Sequence, residues 1–207
     1  HTIGGDWGKE ESDEIHQKCV SIIRGTDIPS VKSGAIGSTP TRWVEEKKFK
    51  TRELRDGDIV IEVSGGSPKQ PTGRSAYVTA ANLKMLGGSS VPASFCRKLS
   101  PKTKALGFYA SRHLDHIYAI GKMWGYQNQS TGISNFQTKT FLETEMVVLP
   151  DSEVIMDKFF EMARPMIDKG RSGENEHIAK LRDTLLPKLL SGQLRIPEAE
   201  KQVAEAL

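Results

Sequence analysis

The sequence predicts an α+β fold, in which a compact body of short strands and segregated helices is followed by a long C-terminal coiled-coil helix. Short β-branched runs such as Ile59-Val-Ile-Glu-Val63, bounded by turn residues, are typical of strands. Residues 105–124 carry apolar side chains at helical spacing, which predicts one amphipathic helix. Apolar positions in the tail recur every three or four residues, as in coiled coils. We therefore divide the chain into a body, residues 1–150, and a tail, residues 151–207.

Turn residues separate the short strands of the body. Strands are predicted at residues 18–23, 59–63, 76–79, 94–99 and 146–149. The glycine-rich residues 64–74 and the polar residues 125–132 are predicted as loops, and residues 42–50 as a helix or an irregular segment. Short strands with a segregated helix favour α+β over a doubly wound parallel sheet.

Two helices are predicted in the tail. Ser152 can cap the first, and Pro165 fits the first position of the second, where its missing N–H costs nothing. If the second helix is continuous from Pro165 to Leu190, just before Ser191-Gly192, it is about 39 Å long at roughly 1.5 Å per residue. A helix this long favours a partner helix outside the body, and the alternative is a core helix packed on its own domain. The predicted helix interface consists of Ile178, Leu181, Leu185 and Leu189.

The basic residues are unevenly distributed along the chain. The net charge is +3, but residues 63–142 hold ten basic residues against one acid, Asp115, which gives this window a charge of +9. A basic window between mildly acidic flanks favours a surface for a polyanion, with nucleic acid as the leading ligand. The plainer interpretation is a solvated face with scattered charges. The ten basic residues are Lys69, Arg74, Lys84, Arg97, Lys98, Lys102, Lys104, Arg112, Lys122 and Lys139.

Cysteine use and hydropathy indicate the cellular setting. Cys19 and Cys96 lie far apart without paired spacing, so we expect free cysteines in a reducing cytoplasm. No apolar run approaches the roughly 20 residues of a membrane span, so no membrane partner is expected. The sequence begins at His1 rather than Met, and we interpret it as part of a longer chain.

Motifs for catalysis or metal binding do not stand out. Ser64-Gly-Gly-Ser67 lacks the Gly-Lys-Ser/Thr ending of a phosphate-binding loop. His113 and His116 lie three residues apart, but no third ligand follows at a matching spacing. Asp56, Asp58 and Glu62 loosely resemble the carboxylates of metal-dependent nucleases, without the lysine expected two residues after Glu62. We therefore expect no catalytic residues, no metal site and no cofactor.

Residues suited to binding DNA are better represented. Tyr126-Gln-Asn-Gln-Ser130 combines an aromatic ring and amides close to basic residues. Amide side chains can pair with adenine edges and arginines with guanine, while lysines and backbone amides contact phosphates. The alternative for this run is a polar hairpin tip. The predicted DNA-binding residues are Lys69, Arg74, Arg97, Lys98, Tyr126, Gln127, Asn128 and Gln129.

Several stretches together resemble the specificity subunit of type I restriction-modification enzymes. Leu181-Arg-Asp-Thr-Leu-Leu-Pro-Lys-Leu-Leu-Ser-Gly-Gln-Leu-Arg-Ile196 is similar to the C-terminal conserved helix of that family and its exit. Further similarities to its target recognition domains lie in Gly57-Asp-Ile-Val-Ile61, Gly65-Gly66, Gly73-Arg74, Gly132-Ile-Ser-Asn135 and Met146-Val-Val-Leu-Pro150.

This resemblance implies a DNA-recognition and assembly role. Residues 1–150 would be a target recognition domain that reads half of a bipartite site in double-stranded DNA. Residues 151–207 would pack antiparallel on the other half of the specificity subunit or on a second copy. They would also dock the DNA methyltransferase subunits, and through them the restriction subunit. Such a subunit is not an enzyme, and neither Asn-Pro-Pro-Tyr nor a glycine-rich S-adenosylmethionine loop occurs in the sequence.

Two other functions stay open at this point. An RNA-binding module would need exposed aromatic rings on a sheet face, and the 14 aromatic residues are spread along the chain. A metal-dependent nuclease would use Asp58, Glu62 and His113. Single-strand binding would distinguish the first alternative from duplex recognition, and cleavage with divalent metal would identify the second.

Overall fold

The computed structural model describes residues 1–35, 37–65, 67, 69–130, 133–170 and 174–206. The side chains of residues 129, 130, 133, 174–180 and 206 lie outside that description. Strands and helices are mixed along the chain, which confirms the predicted α+β class. The strands are β1 (Thr2–Gly4), β2 (His16–Ile23), β3 (Thr41–Glu45), β4 (Ile59–Glu62), β5 (Ser64–Gly65), β6 (Ser75–Tyr77), β7 (Ser90–Pro92), β8 (Cys96–Leu99), β9 (Gln127–Ser130) and β10 (Ile133–Phe136). The helices are α1 (Ile28–Ser33), α2 (Glu46–Arg52), α3 (Ala80–Met85), α4 (Lys104–Ala119), α5 (Thr138–Thr144), α6 (Glu153–Gly170), α7 (Glu174–Leu190) and α8 (Ile196–Ala206).

A four-stranded antiparallel sheet, in the order β1-β8-β4-β6, lies at the centre of the body. Strand β4 is buried along its whole length because both faces of this sheet are covered. Ile59 and Ile61 face a core that includes Phe108 of α4. Val60, between them, faces a second core that includes Val78.

A second sheet, in the order β3-β2-β7, packs beside the first. Strand β2 pairs antiparallel with β3 and parallel with β7. Val20 and Ile22 of β2 pack with Val44 and Phe49 in a third apolar cluster.

Helix α4 confirms the predicted amphipathic helix but ends earlier than its apolar pattern. The Thr103 hydroxyl caps it by accepting a hydrogen bond from the Leu106 N–H at 3.1 Å. The pattern continues to Trp124, whereas α4 ends at Ala119. Gly121 adopts a left-handed conformation, φ +76°, which stops the helix and leads into a 3-10 turn at Lys122–Tyr126.

Four of the five predicted strands are confirmed, with small shifts of their ends, as β2, β4, β6 and β8. The strand predicted at residues 146–149 is wrong. Val148 is largely exposed, and its carbonyl accepts a hydrogen bond from the Tyr109 hydroxyl at 2.7 Å instead of pairing with a strand. Residues 127–130, predicted as a loop, form strand β9, and residues 42–50 are divided between β3 and α2.

The described residues of the tail form three helices, α6, α7 and α8, rather than the predicted two. Pro165 does not begin a helix but lies inside α6, which has 18 residues, the most of any helix in the described part of the chain. Within the described ranges, the single long coiled-coil helix that was predicted is therefore not observed. The proline is tolerated because apolar contacts to the body on both sides of it, by Phe160 and Ile167, hold the helix.

Arg164 attaches α6 to the body through a buried polar network. Its guanidinium donates hydrogen bonds to the Tyr77 hydroxyl at 2.9 Å, to Asp56 at 2.6 Å and to Asp168 at 2.7 Å. Lys104 also pairs with Asp56, at 2.6 Å. Burial acts to raise the pKa of Asp56, but the hydrogen bonds from Lys104 and Arg164 outweigh it and hold this pKa below its usual value.

Helices α7 and α8 pack on each other as a helical hairpin. Helix α7 ends at Leu190, as predicted, and Gly192 adopts φ +71° in the turn. The Leu194 N–H then donates to the Lys188 carbonyl at 3.1 Å. Within the described ranges, no helix has the length and apolar content to cross a membrane.

Candidate nucleic-acid interface

The glycine-rich loop and the polar segment that follows α4 meet in one small sheet. Strand β10 lies in its middle and pairs antiparallel with β5 on one side and with β9 on the other. Asn135 lies opposite both Ser64 and Asn128. Two segments that are about 60 residues apart in sequence, and that both hold predicted DNA-binding residues, therefore become neighbours. We call these three strands the small sheet.

Aromatic and amide contacts fix the small sheet to the body. Phe136 of β10 is buried with Phe141, and the Phe136 N–H donates to the Val63 carbonyl at 2.8 Å. Tyr126 packs edge-on against Phe141, with ring centroids 5.0 Å apart. The Gln127 side-chain oxygen accepts a hydrogen bond from the Thr72 N–H at 3.1 Å. Tyr126 and Gln127, both predicted to contact DNA, thus make contacts that stabilise the fold.

Two predicted residues remain on the outer surface of this region. Lys69 is exposed in the loop between β5 and β6, and no carboxylate in the described part of the chain lies within 4.0 Å of its ammonium group. Asn128 is exposed on β9, and its side-chain oxygen accepts a hydrogen bond from Gln137 at 2.7 Å. The backbone of Gln129 belongs to β9, but its side chain lies outside the described residues.

Arg74 lies beside the small sheet and is bound to a carboxylate. Its Nε and Nη2 atoms donate to the two oxygens of Glu62, at 2.9 and 2.7 Å. Hydrogen bonds to Glu62 raise the pKa of Arg74 above its ordinary value. The Glu62 side chain is almost completely buried and the Arg74 side chain is only 15% exposed, so the charge of Arg74 is balanced within a largely buried pair.

Arg97 and Lys98 lie on β8 of the central sheet and not on the small sheet. Lys98 is only 8% exposed, and its ammonium group lies 3.3 Å from Asp58 and donates to the Glu53 carbonyl. Lys98 is therefore a buried structural cation, which corrects the expectation that it faces solvent. Arg97 is half-buried and donates to the Thr2 hydroxyl at 3.2 Å.

In the described part of the chain, half of the ten basic residues of the window pair with acids that lie outside it. Lys104 pairs with Asp56 and Lys122 pairs with Glu145, and both acids lie beyond the window's ends. A basic stretch of sequence therefore does not produce an equally basic surface. In the described part of the chain, the basic residues of the window that pair with a carboxylate are Arg74, Lys98, Lys104, Arg112, Lys122 and Lys139. Among the side chains that the structure describes, no carboxylate partner is found for Lys69, Lys84, Arg97 and Lys102.

The residues of the nuclease alternative have separate partners. Asp58 and Glu62 lie at opposite ends of β4, about 13 Å apart at roughly 3.3 Å per residue. His113 lies 2.8 Å from Glu145, a buried carboxylate that also accepts a hydrogen bond from Tyr126. Across the described ranges, no group of three or more His, Cys, Asp or Glu residues could hold a metal ion.

The predicted helix interface faces the chain's own last helix. Leu185 is buried, and with Leu189 it lines a cleft of about 460 Å³ opposite Ala199 and Val203 of α8. Leu181 is half-buried, and the side chain of Ile178 lies outside the described residues. Helix α8 was missed in the sequence, although Pro197 near a helix start and Glu198 in its first turn are signals for it.

A different apolar face is exposed on α6. Ile155, Phe159, Met162 and Met166 follow one another at spacings of 4, 3 and 4 residues, so they lie on one face of the helix. Met162 is 72% exposed and Met166 is 74% exposed. We call these four residues the α6 stripe. It has the coiled-coil spacing that the sequence indicated, but it lies on the helix before the predicted one.

No protein-family model matches this sequence, and a search of the curated proteins gave no match.

Proposed function

We propose that this chain is the non-catalytic, sequence-specific DNA recognition subunit of a type I restriction-modification complex, acting in the cytoplasm. In this proposal the body reads half of a bipartite site in double-stranded DNA. The tail joins the other half of the specificity subunit, or a second copy, and holds the DNA methyltransferase subunits. The restriction subunit is a partner through them.

The small sheet is the observation that supports this proposal most. A major groove admits a two-stranded β-ribbon, and β9 and β10 form such a ribbon. Asn128 on this ribbon has an exposed amide, which suits pairing with a base edge. Lys69, on the loop that follows β5, supplies a cation for a phosphate.

The α6 stripe supports the assembly part of the proposal. Phe159 of the stripe already packs in part against Phe108 and Tyr109 of α4. The other three apolar side chains are more than half exposed, which is costly in water and suits burial by another helix. Arg164 and Phe160 hold the opposite side of α6 against the body. A partner helix on the stripe would therefore have a fixed orientation relative to the small sheet.

The test compares two exposed lysines in duplex DNA binding across a salt titration from low to physiological concentration. Lys69→Ala should weaken binding and lower the salt slope by about 0.9, since one phosphate contact is lost. The matched control is Lys84→Ala, because Lys84 also has no carboxylate partner among the described residues but lies on α3, on the opposite side of the central sheet. The control should bind as the wild type does. If the two variants behave alike, Lys69 does not contact DNA.

A further inference from the structure

A groove with two aromatic residues in its walls lies beside the small sheet. Its volume is about 560 Å³, within the roughly 300–1,000 Å³ of small-molecule sites. Ser64 and Gly65 of β5 form part of its wall, so it is continuous with the candidate interface. The lining side chains that matter for its chemistry are Trp7, Arg24, Glu62, Gln70, Arg74 and Phe95.

Phe95 is presented to solvent by a rigid turn. Its side chain is 63% exposed, although it lies between the buried strands β7 and β8. The Phe95 carbonyl accepts hydrogen bonds from the Val63 N–H at 2.8 Å and the Ser64 N–H at 3.2 Å. The turn is closed by the Cys96 N–H, which donates to the Ala93 carbonyl at 2.8 Å. The backbone of Phe95 is therefore fixed before any ligand arrives, which lowers the entropy cost of placing its ring against a ligand.

Trp7 supplies a second ring in the groove. It is 38% exposed, and the Arg42 guanidinium lies 5.1 Å from its ring centroid. This cation–π contact fixes the indole without covering it completely.

The charges in the groove are balanced by buried partners. Arg74 is bound to Glu62 through two hydrogen bonds, and Arg24 is bound in the same way to Asp27, at 2.8 and 2.9 Å. Both carboxylates are buried. An anion would find no net positive charge here, whereas a flat, neutral, polar ring can stack on an aromatic side chain or on a guanidinium plane.

Two glycines, Gly25 and Gly65, line the groove next to the Glu62 carboxylate. A Cβ at Gly25 would lie 2.3 Å from a Glu62 carboxylate oxygen, and a Cβ at Gly65 would lie 2.6 Å from the same atom. Because neither glycine has a side chain, the backbone can approach the Glu62–Arg74 pair closely, and no Cβ occupies the groove at these two positions.

We propose that this groove binds a single unpaired nucleobase, stacked on Phe95. The ligand is an extrahelical base of the DNA that lies on the small sheet, so the inference rests on the proposed function. The groove takes the ring, and Lys69 and the β9–β10 ribbon contact the duplex beside it. Neutral aromatic walls, arginine planes and the Gln70 amide are the groups that recognise a base.

The experiment measures binding of two labelled duplexes that differ by one bulged base. The wild-type chain should bind the bulged duplex more tightly than the fully paired duplex. Phe95→Leu, which keeps an apolar side chain but removes the ring, should reduce the affinity for the bulged duplex by about 5- to 150-fold, the range for one lost stack. Phe95→Tyr should retain the preference. Ile120→Ala is the control, because Ile120 is 62% exposed but lies at the end of α4 and away from the groove lining.

The outcomes separate this inference from the proposed function. If the wild type shows no preference for the bulged duplex, or if Phe95→Leu keeps that preference, the groove does not bind a base. Binding to the paired duplex that still depends on Lys69 would then leave the proposed function intact. If the paired duplex is not bound but the bulged one is, with dependence on Phe95, the groove assignment stands and duplex recognition fails.

Discussion

The body and the tail differ in how fully they bury their large apolar side chains. In the body, charged side chains such as Lys98, Asp58 and Glu62 are paired beneath the surface, and large apolar side chains fill three clusters. In the tail, Met156 and Leu185 are buried, but the α6 stripe is exposed. A folded chain buries apolar surface where it has a partner for that surface. Most large apolar side chains of the body have such a partner, with exceptions such as Phe95 and Val148, whereas the α6 stripe offers a row of apolar side chains on one helix face.

Arg164 is the polar link between these two regions, and removing it should have the largest effect on stability. Arg164→Ala leaves Tyr77 and Asp56 without their shared donor, so we expect a loss of about 3 kcal/mol in the free energy of unfolding, the lower end for a broken buried pair. Lys104 still pairs with Asp56, which limits the loss. Urea denaturation measures this change, and hydrogen exchange should show increased opening of α6.

The control for this change is Arg182→Ala. Arg182 also pairs with a carboxylate on a tail helix, Asp183, but both side chains are about two-thirds exposed. Its removal should leave the unfolding midpoint unchanged. Equal destabilisation by the two variants would show that Arg164 does not hold the tail on the body.

The α6 stripe is an exposed apolar surface that we expect a partner to cover, so changes to it should affect association rather than stability. Met162→Asp combined with Met166→Asp should leave the free energy of unfolding within about 0.5 kcal/mol, because both side chains are exposed. The same change should weaken association with the partner half or a second copy at least tenfold, since it places charge in an apolar interface. Sedimentation and co-purification measure this effect.

A matched change on the same helix is Lys158→Asp combined with Glu161→Lys. It alters charges at exposed positions outside the stripe. This variant should assemble normally. Normal assembly of the Met162 and Met166 variant as well would remove the stripe from the interface.

Glu145 gives a smaller, pH-dependent test of how the body buries charge. Burial acts to raise the pKa of Glu145, but hydrogen bonds from Lys122, Tyr126 and His113 outweigh it and hold this pKa below its ordinary value of 4.5. A carboxyl with a lowered pKa in the folded state stabilises the fold fully above the unfolded pKa. That contribution is lost as the pH falls through the folded value.

We therefore expect Glu145→Gln to cost about 1.5 kcal/mol at pH 7, as for a hydrogen bond to a charged group. The stability difference between this variant and the wild type should begin to shrink as the pH falls below about 4.5, where Glu145 of the unfolded chain becomes protonated, and should be lost as the pH falls through the lower pKa of the folded state. Unfolding curves at pH 7, 5 and 3.5 measure this trend. A difference that stays constant over this range would mean that Glu145 is not ionised in the folded protein.

The local sequence determined those helices, strands and helix ends that have a clear pattern over a few residues. The β-branched run of β4, the amphipathic pattern of α4 and the glycine that follows α7 each identify an element, because backbone preference and apolar periodicity act over a few residues. Residues 146–149 also have a β-branched run, but no described strand pairs with them. A strand is stable only when it is paired, so this segment does not form one.

Only the tertiary structure decided which charged side chains are paired and which helix faces are buried. Lys98 and Lys69 carry the same charge in the sequence, yet one is buried against Asp58 and the other is exposed beside the small sheet. Leu185 belonged to the predicted interface, but α8 covers it, and the exposed coiled-coil spacing lies on α6 instead. Ion pairs and helix packing join residues that are distant along the chain, so their partners are fixed by the three-dimensional fold and not by the local pattern.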